Sequence, residues 1–150
     1  MAKRILLKQT HKDRCNCIKY ARSFVPSLPY ALWTLGDKRR ICNSKKPEVG
    51  AIAMMAVGLP WGHAGYVNAV SGKLITIKEA NYIPCRLTMV KGTASELKIV
   101  GYYLSPKLRQ KDKTINEKIA LYIKRYKKNW KKSPVKSLIN RMRVIYKKRV

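Results

Sequence analysis

Acidic residues are scarce in this chain. Only 7 Asp+Glu stand against 34 Lys+Arg, giving a formal net charge of +27 over 150 residues. A field of that size draws polyanions, whether nucleic acid, anionic lipid or an acidic wall polymer, and does not choose among them. No apolar run reaches the roughly 18–20 residues needed to cross a bilayer, so no transmembrane segment is expected. Residues 1–8 carry a short Ile5-Leu6-Leu7 cluster. They lack the apolar stretch of about 7–15 residues and the small-residue cleavage site of a secretory signal. Synthesis in the cytoplasm is therefore expected, with some other means of release if the protein acts outside it. Cys15-x-Cys17 has no matching second pair, which argues against zinc. A disulfide framework is not expected, and Cys15, Cys17, Cys42 and Cys85 are read as free thiols. No internal repeat is present.

What is present suffices for one domain with a real core. Hydrophobic residues make up 46% of the chain, which excludes wholesale disorder. The basic residues are unevenly spread. Residues 107–150 hold 17 of them against two acids, Asp112 and Glu117. The chain therefore divides into residues 1–106 and a denser basic tail, 107–150.

Cys17, Tyr20, Ala21 and Phe24 follow helical spacing and Pro26 ends the run, so Cys17 heads a short helix. Pro29 opens a turn into a second short helix through Ala31, Leu32 and Trp33, and residues 36–47 read as a loop. Strands are expected over 49–57, 63–70, 74–79, 85–90 and 97–103, with Ser71-Gly72 as a tight turn. Helices followed by an antiparallel meander make an α+β fold. In the tail, Thr114-x-x-Glu117 has the form of a capping box. Ile115, Ile119, Tyr122, Tyr126 and Trp130 then follow helical spacing. Ser133-Pro134 signals a second helix start, with Val135, Leu138, Ile139, Met142 and Tyr146 as its stripe. Two basic amphipathic helices are expected.

The chemistry-bearing residues come in an informative order. Cys17 lies at a helix N-terminus, which favours a thiolate. His63 heads one strand, and Glu79 and Asn81 close the next. Side chains two apart on a strand share a face, so Ile75 and Ile77 form an apolar face ending in Glu79 and Asn81. With a tight turn between the strands, His63 lies level with that end. Taken singly, each residue has a blander reading: a packed cysteine, a turn histidine, a solvated glutamate. Together they are a nucleophile, a base and a group to orient the base, in the papain-like order. Either Glu79 or Asn81 could orient His63, with backbone N–H at Cys17 as an oxyanion donor. Cys15 is the competing thiol. The helical register and Tyr20 favour Cys17.

These segments resemble the CHAP family, the cysteine- and histidine-dependent amidohydrolase/peptidase domains. Asn16-Cys17-Ile18-Lys19-Tyr20-Ala21-Arg22 is similar to the nucleophile segment, and Ala31-Leu32-Trp33 to the small-residue-to-Trp element. Pro47 to Ala53 resembles the entry to the first core strand. Gly62-His63-Ala64-Gly65-Tyr66-Val67 resembles the histidine strand, Glu79-Ala80-Asn81-Tyr82 its Glu-x-Asn end, and Ile99 to Pro106 the closing strand. The likeness covers about residues 14–106 in order. It implies a papain-like fold, N-terminal helices packed on an antiparallel sheet. It also implies hydrolysis of peptidoglycan amide or peptide bonds by Cys17, His63, Glu79 and Asn81. Trp61 and Tyr82 are candidate substrate-binding residues, with core packing the other reading for Tyr82. Some members bind calcium through an acidic loop before the nucleophile. Here that loop reads Thr10-His11-Lys12-Asp13-Arg14, so neither calcium nor any other metal or cofactor is expected. Ala51 stands where the family has an aspartate.

The basic tail joined to such an enzyme suggests a phage lysin or a virion-associated lysin. Its helices would bind an anionic envelope polymer or lipid, with nucleic acid as second choice. The alternative is a cationic structural or nucleic-acid-associated virion protein on a decayed hydrolase fold.

Overall fold

The computed structural model describes residues 2–127. Strand β1, Lys3–Leu6, opens the chain. Helix α1, Cys17–Phe24, follows, capped by Asn16, whose side chain accepts from the Lys19 N–H at 2.9 Å. Ile18, Tyr20 and Ala21 are its buried residues. Phe24, placed on the apolar face by spacing alone, is 38% exposed and stacks on Tyr66. Helix α2, Leu35–Arg40, begins at a reciprocal cap. The Asp37 N–H donates to Thr34 Oγ1, and Asp37 Oδ2 accepts from the Thr34 N–H and hydroxyl. The expected helix through Ala31, Leu32 and Trp33 is therefore absent, and a helix stands where a loop was expected. The Thr34-x-x-Asp37 box outweighs the apolar pattern upstream of it.

The remaining strands are β2 Ile52–Met55, β3 His63–Ser71, β4 Leu74–Ala80, β5 Leu87–Gly92 and β6 Ile99–Tyr103. They form one sheet of order β1-β5-β4-β3-β2-β6, with every pair antiparallel. The architecture is α+β, with β2 to β5 as the meander. Strand β1 pairs with β5, placing Arg4 opposite Val90. It was not foreseen because four residues with two lysine or arginine side chains carry no clear strand signal. The β3–β4 turn is Gly72-Lys73, since Ser71 still pairs with Leu74. Gly72 there has φ 58°, the left-handed conformation a tight hairpin requires.

All four residues of β2 are buried because both faces of the sheet are covered. Ala51, Ala53 and Met55 pack on one face with Val67, Ile75, Ile77, Val90 and Tyr102. Ile52 and Met54 pack on the other, with Ala64 and the α1 residues Ile18 and Ala21. Alternation along the strand thus serves two cores.

Cys15 and Cys85 are joined as a disulfide, with Cα atoms 4.0 Å apart and a sequence separation of 70. This corrects the expectation of four free thiols. The chain returns Cys85 beside the start of α1 through the loop after β4, a proximity that spacing does not reveal. Cys17 and Cys42 are the free cysteines.

Helix α3, Pro106–Lys127, starts from Ser105, whose hydroxyl accepts from the Leu108 N–H at 3.2 Å. Proline at the first position suits a helix start. The expected start at Thr114 is not used. Its hydroxyl bonds back to the Gln110 carbonyl at 2.9 Å, inside a continuous helix. The chain divides into two units, Met1–Arg109 and Gln110–Val150. Tyr126 keeps a helical backbone, but its side chain, Trp130 and the helix expected after Ser133-Pro134 lie outside what the structure describes. No described helix is long and apolar enough to cross a membrane.

Candidate active site

Asn16 places Cys17 at the first position of α1. The first N–H groups of a helix lack intrahelical partners, so the cysteine sits at a positive helix end. Register explains the partner groups. Gly65 on β3 pairs with Glu79 on β4. His63, two residues before Gly65, is then a diagonal neighbour of Glu79 on the same face. Gly65 supplies the space between them: a Cβ there would run into Ile77 Cγ2 and come within 3.3 Å of Glu79 Cβ. His63 Nε2 lies 3.2 Å from Glu79 Oε2. The contact is off the ideal hydrogen-bond direction, and neither atom has another hydrogen-bond partner.

Glu79 is 0% exposed and His63 is 6% exposed. A buried carboxylate needs partners. Arg4 Nε donates to Glu79 Oε1 at 2.7 Å, and the Thr88 hydroxyl donates to the same oxygen at 2.9 Å. One carboxylate oxygen is thus held by β1 and β5, and the other faces His63. The Arg4 guanidinium also lies 3.3 Å over the Tyr82 ring, which meets the His63 ring in a T-shaped contact. Burial works against ionised Glu79, but His63 and then Arg4 hold its carboxyl below the usual carboxylate range.

Cys17 and His63 are coupled. Burial alone would push the thiol up; the His63 hydrogen bond and charge, the Ala64 backbone N–H and the Lys38 charge bring it below its ordinary value. Burial alone would lower His63, but its bonds to Cys17 and Glu79 and their charges push it up to about 9. Both shifts share one cause, the mutual hydrogen bond and charge of Cys17 and His63, with the Glu79 carboxylate behind His63.

The other sequence candidates are placed differently. Asn81 leaves the strand at φ 65°, and its side chain accepts from the Cys85 N–H at 3.0 Å. It stands in the cleft wall, so Glu79, not Asn81, is the group that meets His63. Cys15 is engaged in the disulfide, which leaves Cys17 as the thiol at the helix start. Trp61 and Tyr82 both line a cleft of about 830 Å³ that also contains Cys17 and His63. Tyr82 is exposed rather than part of the core.

Sequence reasoning missed Arg4, Thr88, Lys38, Tyr30 and Trp33. Tyr30 and Trp33 also line the cleft and are exposed. The Thr34-x-x-Asp37 box could have moved Trp33 off a helix and out to a loop. Nothing local marks Arg4. Among the described residues no cluster of ligating side chains suits a metal ion.

No family model and no curated protein matches this chain. Among solved structures it is similar to Ly7917, once in complex with "the hydrolyzing product of MDP" and once without it. Identity is 31% in both, over 42% of this chain and 29% of that chain, with TM-scores of 0.37 and 0.36. The matched stretch is thus less than a third of the Ly7917 chain.

Proposed function

We propose that this protein is a cysteine-dependent peptidoglycan hydrolase of the CHAP kind on a papain-like frame. The observation that carries this reading is His63, buried between Cys17, a free thiol at a helix start, and a fully buried, hydrogen-bonded carboxylate. A structural histidine has no need of both neighbours, and neither partner is cheap to bury.

In this reading the Cys17 thiolate attacks the carbonyl carbon of a substrate amide. Helix-start N–H groups stabilise the oxyanion. As the C–N bond breaks, His63 gives its proton to the departing amine, leaving a thioester on Cys17. Water attacks the thioester, His63 takes its proton, and the acid product leaves with the thiolate restored. Glu79 faces Nε2, which leaves Nδ1 for the thiol and stabilises the imidazolium. Asn81, Trp61 and Tyr82 serve as cleft-wall groups that contact substrate. The basic tail would hold the enzyme on an anionic envelope polymer or lipid, as suits a phage lysin or a virion-borne one synthesised in the host cytoplasm.

The test is incubation of wild type and Cys17→Ala with peptidoglycan, with released fragments followed by mass spectrometry. Cleavage by wild type alone supports the reading, and fragment masses separate amidase from endopeptidase. No cleavage by either across several wall chemotypes sinks it. The net charge of +27 supports a second reading, a cationic virion protein that binds nucleic acid without turnover. That reading expects DNA binding that weakens steeply with salt and is indifferent to Cys17→Ala.

A further inference from the structure

Lys38 lies on α2 and is 2% exposed. Lysine is among the residues least often buried, and nothing in the hydrolytic steps above uses this one. Its Nζ donates to three backbone carbonyls: Leu32 at 2.8 Å, Trp33 at 3.3 Å and Trp61 at 2.8 Å. A neutral amine has two N–H groups and an ammonium has three, so three carbonyl acceptors match the charged form. These carbonyls belong to two separate segments, residues 32–33 and the turn that ends at Gly62. Each carries a tryptophan that is mostly in solvent, Trp33 at 70% and Trp61 at 61% exposure, and both line the cleft. The Leu35 N–H also donates to the Pro60 carbonyl at 3.0 Å, and Gly62 lies tight against Leu35. One ammonium therefore closes a joint between two aromatic walls, and it lines the same cleft as Cys17.

We propose that Lys38 is a positioning residue: its ammonium fastens the two tryptophan-bearing walls of the cleft to each other and sets a fixed positive charge facing Cys17. Lysine suits the task because its three donors diverge from one compact charge, whereas the arginine fork is planar. The groups that face Lys38 electrostatically are Cys17 and Asp37; those that face Cys17 are His63 and Lys38. Burial pulls Lys38 below the ordinary lysine range while the Cys17 and Asp37 charges oppose it. The three carbonyls keep the charged form in place.

The inference rests on Cys17 as the nucleophile, but its main readout needs no substrate. Iodoacetamide alkylation of Cys17 is followed against pH, the label being located by mass spectrometry so that Cys42 is counted separately. Lys38→Met keeps the length of the side chain and removes the charge. Its alkylation midpoint is expected to move to higher pH, with the rate below the wild-type midpoint falling by roughly two- to tenfold, the equivalent of at most about one pKa unit. Lys38→Arg keeps the charge but not the three carbonyl bonds. It is expected to retain the wild-type alkylation profile while raising KM on soluble peptidoglycan fragments. A folded Lys38→Met with the wild-type profile overturns the proposal. So does a Lys38→Arg whose profile moves as far as that of Lys38→Met, because packing rather than charge would then be at work. If Lys38→Met does not fold, Lys38→Arg decides alone: a wild-type alkylation profile with a raised KM is expected, and an unchanged KM or a profile moved to higher pH overturns the proposal. Loss of peptidoglycan cleavage in wild type would count against the proposed function and leave the alkylation comparison intact.

Discussion

Strand β4 and the described part of α3 beyond Arg109 both carry isoleucines at the regular spacing of their element, yet the two regions behave oppositely. In β4, Ile75 and Ile77 are fully buried and Glu79 is buried with them. In α3, Ile115, Ile119, Leu121, Tyr122 and Ile123 are all exposed, although Ile115, Ile119 and Tyr122 keep helical spacing. Periodicity alone marks a face and does not say what covers it. The strand gains its burial from neighbours far away in sequence, β3 and β5, and those neighbours also assemble the candidate site. The helix satisfies its backbone hydrogen bonds within itself, whereas a strand must borrow partners from other strands. Substitutions in the sheet unit should therefore be felt in both stability and chemistry, and substitutions on the α3 stripe in neither.

The largest effect should come from His63→Ala. A positioned acid–base group contributes about 10²–10⁴-fold, so kcat for peptidoglycan cleavage should fall by that range. Cys17 alkylation near neutral pH should fall as well, since the thiolate loses its counter-ion. Retention of either property would separate His63 from the thiol. Next comes Gly65→Ala. The added methyl meets Ile77 Cγ2 and crowds Glu79, and overpacking of this kind costs about 1–3 kcal/mol. The urea midpoint should drop while the slope stays constant. An unchanged midpoint would mean that the register of β3 on β4 is not as described.

Arg4→Met should leave the fold intact and weaken the hold on Glu79. Removing this cation leaves the Glu79 charge less neutralised, which favours the protonated form of His63. In the proposed mechanism protonated His63 is the form that donates to the leaving amine, so wild-type activity should fall as pH rises through about 9. In Arg4→Met that alkaline limb should move to higher pH, and the urea midpoint should fall because a buried carboxylate has lost its ion-pair partner. An alkaline limb that does not move would relegate Arg4 to packing on Tyr82. The smallest effect is expected for Ile119→Lys on α3. Stability should stay within about 0.5 kcal/mol by urea titration, as for surface sites generally. A large loss would show that the stripe is covered in solution, and the contrast between the two regions would fail.

The α+β class, the meander and the start of α1 at Cys17 were legible because each rests on local patterns: spacing, a cap, a turn. His63 and Glu79 were legible as a pair because a tight turn between two strands dictates which residues lie abreast. Asn81 misled because strand alternation was carried one residue past the end of the strand, where a positive φ turns its side chain toward Cys85. Trp33 misled because three apolar residues after a proline imitate a helical turn.

By itself, the sequence determined the basic charge, the order of Cys17, His63 and Glu79 along the chain, and which segments have strand or helix periodicity. All of these depend on side-chain type and short-range sterics. Tertiary structure alone decided that Arg4 and Thr88 hold Glu79, that Cys15 meets Cys85, and that a buried lysine joins two tryptophan-bearing walls. Each of those contacts closes a long loop or unites separate segments. Their partners are chosen by how strands and turns stack in space, and no local pattern encodes that choice.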